Sequence, residues 1–99
     1  MGIVGDRPES GLRIDVARAP GGEAPWTYRG EAVTPSATFR LEATVSAAGA
    51  VVVEAPDAPA KVADRARLLL RAAWKHAHDE DQPPPRRIVR WRPDGEADR

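Results

Sequence analysis

The chain predicts an α+β fold: an antiparallel sheet of four to five strands, in the order β-β-β-β-α-β, with one helix packed on one face. Three observations predict it. The first half alternates apolar and polar residues with the period of two of half-buried strands. A later segment, Ala58 to Asp79, repeats apolar residues at the three-to-four spacing of a helix. After the proline triplet Pro83-Pro84-Pro85, which stops a helix, the run Arg86-Arg87-Ile88-Val89-Arg90-Trp91-Arg92 returns to strand character.

Residues 1–11 are polar and glycine-bearing and are expected to form a flexible N-terminal arm. The domain is expected to span 12–92. Its first strand, Leu12 to Arg18, alternates strictly, with Leu12, Ile14 and Val16 toward the core. Ala19 to Pro25, rich in proline and glycine, is a loop. Trp26 to Val33 is the second strand, with Trp26, Tyr28 and Ala32 on the inner face. Gly30 within it marks a bulge or a close backbone approach. Thr34-Pro35-Ser36-Ala37 has the chemistry of a tight turn. Thr38 to Ser46 follows as the third strand, with Phe39, Leu41, Ala43 and Val45 inward.

The next turn fixes the register of the fourth strand. A two-residue loop at Ala48-Gly49 would pair Ala43 with Glu54 and bury a carboxylate. A three-residue loop, Ala47-Ala48-Gly49, pairs Val45 with Val51 and Ala43 with Val53, and places glycine where a left-handed backbone is needed. The longer loop is therefore expected, with Val52 and Glu54 on the outer face.

Asp57 is expected to cap the helix, with Pro59 in its first turn. Val62, Ala66, Leu69, Leu70, Ala73, Trp74 and Ala77 make its apolar stripe, and Asp64 is placed to pair with Arg67. The acids after Asp79 oppose the helix dipole, so this end is expected to fray. In the last strand Arg87, Val89 and Trp91 share one face, and Arg86, Ile88, Arg90 and Arg92 the other. Ile88, Val89 and Trp91 are all counted as core formers, with Trp91 closing the core beneath the helix. Residues 93–99 are expected to be a disordered tail.

Composition bounds the function. With 99 residues, the chain holds one domain and one modest core, without room for a sizeable internal cavity. It has no cysteine, which excludes disulfides, thiolate metal sites and cysteine nucleophiles. No apolar run is long enough to cross a bilayer, and residues 1–11 do not read as a secretory signal, so no membrane partner is expected. Arginine far outnumbers lysine, and alanine and proline are abundant. That usage fits a GC-rich coding sequence, and a bacterial-type cytoplasmic protein is the default expectation. Net charge is zero, yet residues 58–92 carry nine basic and four acidic groups. The cationic excess is local, which argues against strong nonspecific nucleic-acid binding.

No catalytic residue, cofactor or metal site is expected. The cluster His76-Ala77-His78-Asp79-Glu80-Asp81 has no zinc-ligand spacing, and residues two apart on a helix point apart. No nucleophile elbow, phosphate loop or dinucleotide fingerprint is present. The remaining candidate is an interaction surface of Arg86, Arg87, Arg90, Trp91 and Arg92. The expected function is non-catalytic, a domain that binds protein or itself, as in a homodimer sharing its sheet. The alternative is nucleic acid, with arginines on phosphates and Trp91 stacked on a base. A purely structural role remains for the same residues: cations protect a sheet edge, and Arg90 pairs with Glu31 or Glu42 of neighbouring strands.

Overall fold

Alternation along the first half becomes four consecutive antiparallel strands in the structure, a computed structural model that describes residues 11–21 and 23–92. They are β1 (Leu12–Arg18), β2 (Trp26–Val33), β3 (Thr38–Val45) and β4 (Val51–Glu54). The helix α1 (Ala60–Asp79) and the strand β5 (Arg87–Arg92) follow. The five strands form one sheet in the order β4-β3-β2-β1-β5. The meander thus runs from β1 outward to β4, α1 crosses back over one face, and β5 docks beside β1, antiparallel to it. The expected arm, apart from Gly11, and the expected tail lie outside the described residues.

The hairpin registers follow from the turns. Thr34 and Ala37 bracket the Pro35-Ser36 loop: the Thr34 amide donates to the Ala37 carbonyl at 2.8 Å, and the Ala37 amide to Thr34 Oγ1 at 3.0 Å. Ser46 N–H donates to the Ala50 carbonyl at 2.9 Å, leaving Ala47-Ala48-Gly49 as the loop. Val45 therefore pairs with Val51 and Ala43 with Val53, the register that keeps Glu54 out of the core. Gly49 has φ +89, and a Cβ there would lie 2.6 Å from the Trp74 ring. Both backbone and helix packing require glycine at this place.

The core lies between the sheet's inner face and α1. Leu12, Ile14 and Val16 of β1, Tyr28 and Ala32 of β2, Leu41, Ala43 and Val45 of β3, and Ile88 of β5 are buried. From the helix, Val62, Ala66 and Leu70 join them. The helix packs chiefly on β4 and β3. Gly30 is a close backbone approach: a Cβ would fall 1.9 Å from the Asp15 carbonyl oxygen of β1. Tyr28, opposite Arg18, is fully buried, and its hydroxyl donates to the carbonyl of Pro85 in the link to β5. Among the described residues no helix is long and apolar enough to cross a membrane.

The ends of α1 depart from expectation. Pro59, not Asp57, is the N-cap, and no side chain caps the helix. Had Asp57 been the cap, Ala58 would have needed helical angles directly before a proline, and the proline ring drives its predecessor out of that region. At the other end, Gln82 N–H donates to the Ala77 carbonyl at 2.8 Å and Asp81 N–H to the His78 carbonyl at 3.0 Å. Asp81 has φ +59. This is a Schellman cap with aspartate in the position usually held by glycine, so the last turn is closed rather than frayed.

A candidate interaction edge

Strand β5 is at an edge because, among the described residues, nothing pairs with its far side, whereas its near side is zipped to β1. Leu12 faces Arg92, Ile14 faces Arg90 and Val16 faces Ile88. Arg18 N–H donates to the Arg86 carbonyl at 2.7 Å. In an antiparallel ladder bonding alternates, so Ile88 and Arg90 turn their backbone groups to β1, and Arg87, Val89 and Trp91 turn theirs outward. The outward Val89 carbonyl is covered from its own strand: Arg90 Nη1 donates to it at 3.0 Å.

The candidate residues separate by face. Arg87, Val89 and Trp91 lie on the outer face, away from the helix. Trp91 is 52% exposed and Val89 37% exposed, so neither belongs to the core, and Trp91 does not lie beneath the helix. The period of two explains this: once Ile88 is taken into the core opposite Val16, Val89 and Trp91 must point the other way. Arg90 follows Ile88 onto the helix side, which removes it from Glu31 and Glu42. Those carboxylates pair instead with Arg13 at 3.6 Å and Arg29 at 3.3 Å. Arg86 precedes β5 and is exposed, and Arg92 closes the ladder opposite Leu12.

Two residues of β1 complete the outer side of this edge. Arg87 donates from Nε to Asp15 Oδ1 at 3.1 Å and from Nη2 to Oδ2 at 2.7 Å, a two-pronged ion pair. This hydrogen bonding holds the Asp15 carboxyl below the usual carboxylate range, against the opposing effect of burial. Arg13, directly opposite Trp91, places its guanidinium carbon 5.7 Å from the indole centroid. The sequence placed Arg13 and Asp15 on the outer face of their strand. Nothing in it says that this strand neighbours Arg86 to Arg92, so their part in the site was not legible.

The histidines form no site with one another. His78 stacks on Trp74 with centroids 4.7 Å apart, and His76 Nε2 lies 3.7 Å from Glu80. Among the described residues no cluster of three or more histidines or carboxylates is gathered around a common point. No protein-family model, no curated protein and no solved structure matches this chain.

Proposed function

We propose that this chain is a non-catalytic protein-binding domain whose docking element is the β5 edge, and that its partner is an acidic, extended protein segment that adds as a sixth strand. The observation that carries this reading is the half-exposed Trp91 beside Val89 on a strand whose outward backbone groups have no strand partner among the described residues. Open edges of this kind supply main-chain hydrogen bonds, and exposed side chains on the edge strand supply specificity. A six-residue strand offers a docking length of about 20 Å. Arg86 and Arg90, both exposed, set the sign of the partner.

The same charges disfavour a second copy at this edge. A two-fold pairing of β5 with itself about Val89 sets Arg86 opposite the partner copy's Arg92, cation against cation. Nucleic acid is also the weaker reading. Arg87 is neutralised by Asp15, one face of Trp91 is occupied by Arg13, and the outer face carries carboxylates from three strands. A cytoplasmic setting fits the absence of cysteine.

The test is calorimetric titration of the full chain with a capped peptide of alternating glutamate and valine. Wild type is expected to bind, and Trp91→Ala to bind roughly tenfold more weakly, the loss of a modest hot spot. Absence of binding, or equal binding by Trp91→Ala, overturns the reading. Tighter binding to mixed-sequence single-stranded DNA, with a steep salt dependence, would favour nucleic acid instead.

A further inference from the structure

Beyond the β5 edge, we propose that Arg18 and Arg86 form a binding pocket for a small oxyanion, of the phosphate monoester or carboxylate class. Their strands bring them together: the Arg18 amide donates to the Arg86 carbonyl at 2.7 Å, so the two guanidiniums rise from opposed positions at the loop end of the sheet. Between them lies a pocket of about 350 Å³, lined by Arg18, Ala19, Pro20, Gly21 and Arg86. Nothing lies within 4 Å of where a Gly21 side chain would begin, so this lip is unobstructed.

The electrostatics of Arg18 call for an anion. Its Nε and Nη1 are sealed from solvent and have no hydrogen-bond partner among the described residues. A guanidinium stays charged, and burying its donors unpaired is unfavourable by several times the net worth of an ordinary hydrogen bond. Asp15, the nearest acid along the strand, is turned to the opposite face and held by Arg87. Among the described residues neither Arg18 nor Arg86 has an ion-pair partner. The wall is preformed as well: the Tyr28 hydroxyl holds the Pro85 carbonyl, fixing the chain immediately before Arg86. An oxyanion held between the two guanidiniums supplies the missing countercharge. Arg86 is common to this pocket and to the β5 edge, whereas Trp91 and Val89 lie on the outer face and line only the edge, so Trp91→Ala tells the failure of one site from that of the other.

Nuclear magnetic resonance of the arginine Nε–Hε groups in the full chain tests this, with inorganic phosphate and acetate titrated separately at ionic strength held constant by sodium chloride. The Arg18 and Arg86 signals are expected to shift saturably. Saturation by phosphate alone assigns a phosphate monoester pocket, and saturation by acetate as well extends it to carboxylates. Arg86→Gln should weaken binding at least tenfold, Arg86→Lys should weaken it less, and Arg87→Gln and Trp91→Ala should leave it unchanged. Shifts that rise without saturation and equal those in chloride, or an Arg86→Gln variant that binds as wild type, overturn the proposal.

Discussion

Arg87 grips Asp15 across the β1–β5 boundary through two parallel hydrogen bonds, at 3.1 and 2.7 Å, and the pair is the polar clasp of the edge strand. Asp15 stands directly opposite Glu31 on β2, an arrangement that repels unless cations intervene. Arg87 supplies one cation. Arg13 supplies the other, lying 3.7 Å from Asp15 and 3.6 Å from Glu31. The outer face is therefore a chain of alternating charges that ends on the edge strand.

The clasp predicts an acid limb. Because folding lowers the Asp15 pKa, its contribution to stability is present above the unfolded value near 3.8 and is lost as pH falls through the lower folded value. Urea unfolding at successive pH values should show stability falling below about pH 4. In Asp15→Asn this fall should be shallower, and stability at neutral pH should be lower than in wild type. An unchanged acid limb would mean that the pair carries no linkage.

Tyr28 joins the core to the β5 link. Tyr28→Phe leaves the Pro85 carbonyl without its donor and should cost about 1 kcal/mol in chemical unfolding. Burial also raises the Tyr28 pKa above 10.0. A raised tyrosine contributes stability that is intact below the unfolded pKa and lost as pH climbs through the folded one, so wild type should weaken above about pH 10 and the variant should weaken less. An identical alkaline limb in both would contradict this.

Gly30 is where β1 and β2 touch through their backbones. Gly30→Ala sets a methyl 1.9 Å from the Asp15 carbonyl oxygen, and a backbone cannot swing aside as a flexible side chain does. Destabilisation of about 2–3 kcal/mol is expected by thermal or denaturant unfolding. A change below measurement error would show that the strands part without cost.

Asp81 offers a gain in the opposite direction. Its φ of +59 is a left-handed conformation that glycine adopts freely, and its carboxylate sits at the negative end of the helix. Asp81→Gly should stabilise the protein by about 0.5–1 kcal/mol, read as a rise in melting temperature. A fall would show that the carboxylate has a role beyond the cap.

Much of this fold is written in local pattern. The glycine-ended loop at Ala47-Ala48-Gly49, the inward Leu41, Ala43 and Val45 and the Asp64–Arg67 pair at 3.8 Å all follow from residues close in sequence. The start of α1 was misplaced because the bar that Pro59 sets on Ala58 outweighs the capping tendency of Asp57. The closed C-terminal end was missed because the cap uses a left-handed aspartate, which has no strong signature. The site was legible only as a list of residues on one strand. Its meaning depended on which strand lies beside β5, and that long-range choice has no periodicity to reveal it. Only with β1 as neighbour do Arg87 find Asp15, Trp91 find Arg13, and Arg18 come to lie beside Arg86.

Hydrogen exchange at individual β5 amides tests the central claim most directly. In the free chain, the amides of Ile88 and Arg90 should be protected by β1, while those of Arg87, Val89 and Trp91 exchange quickly. On addition of the alternating glutamate–valine peptide, the second set should become protected as a new strand forms. Protection of all five amides in the free chain, or peptide binding that leaves Arg87, Val89 and Trp91 exchanging as before, would contradict the edge-strand account.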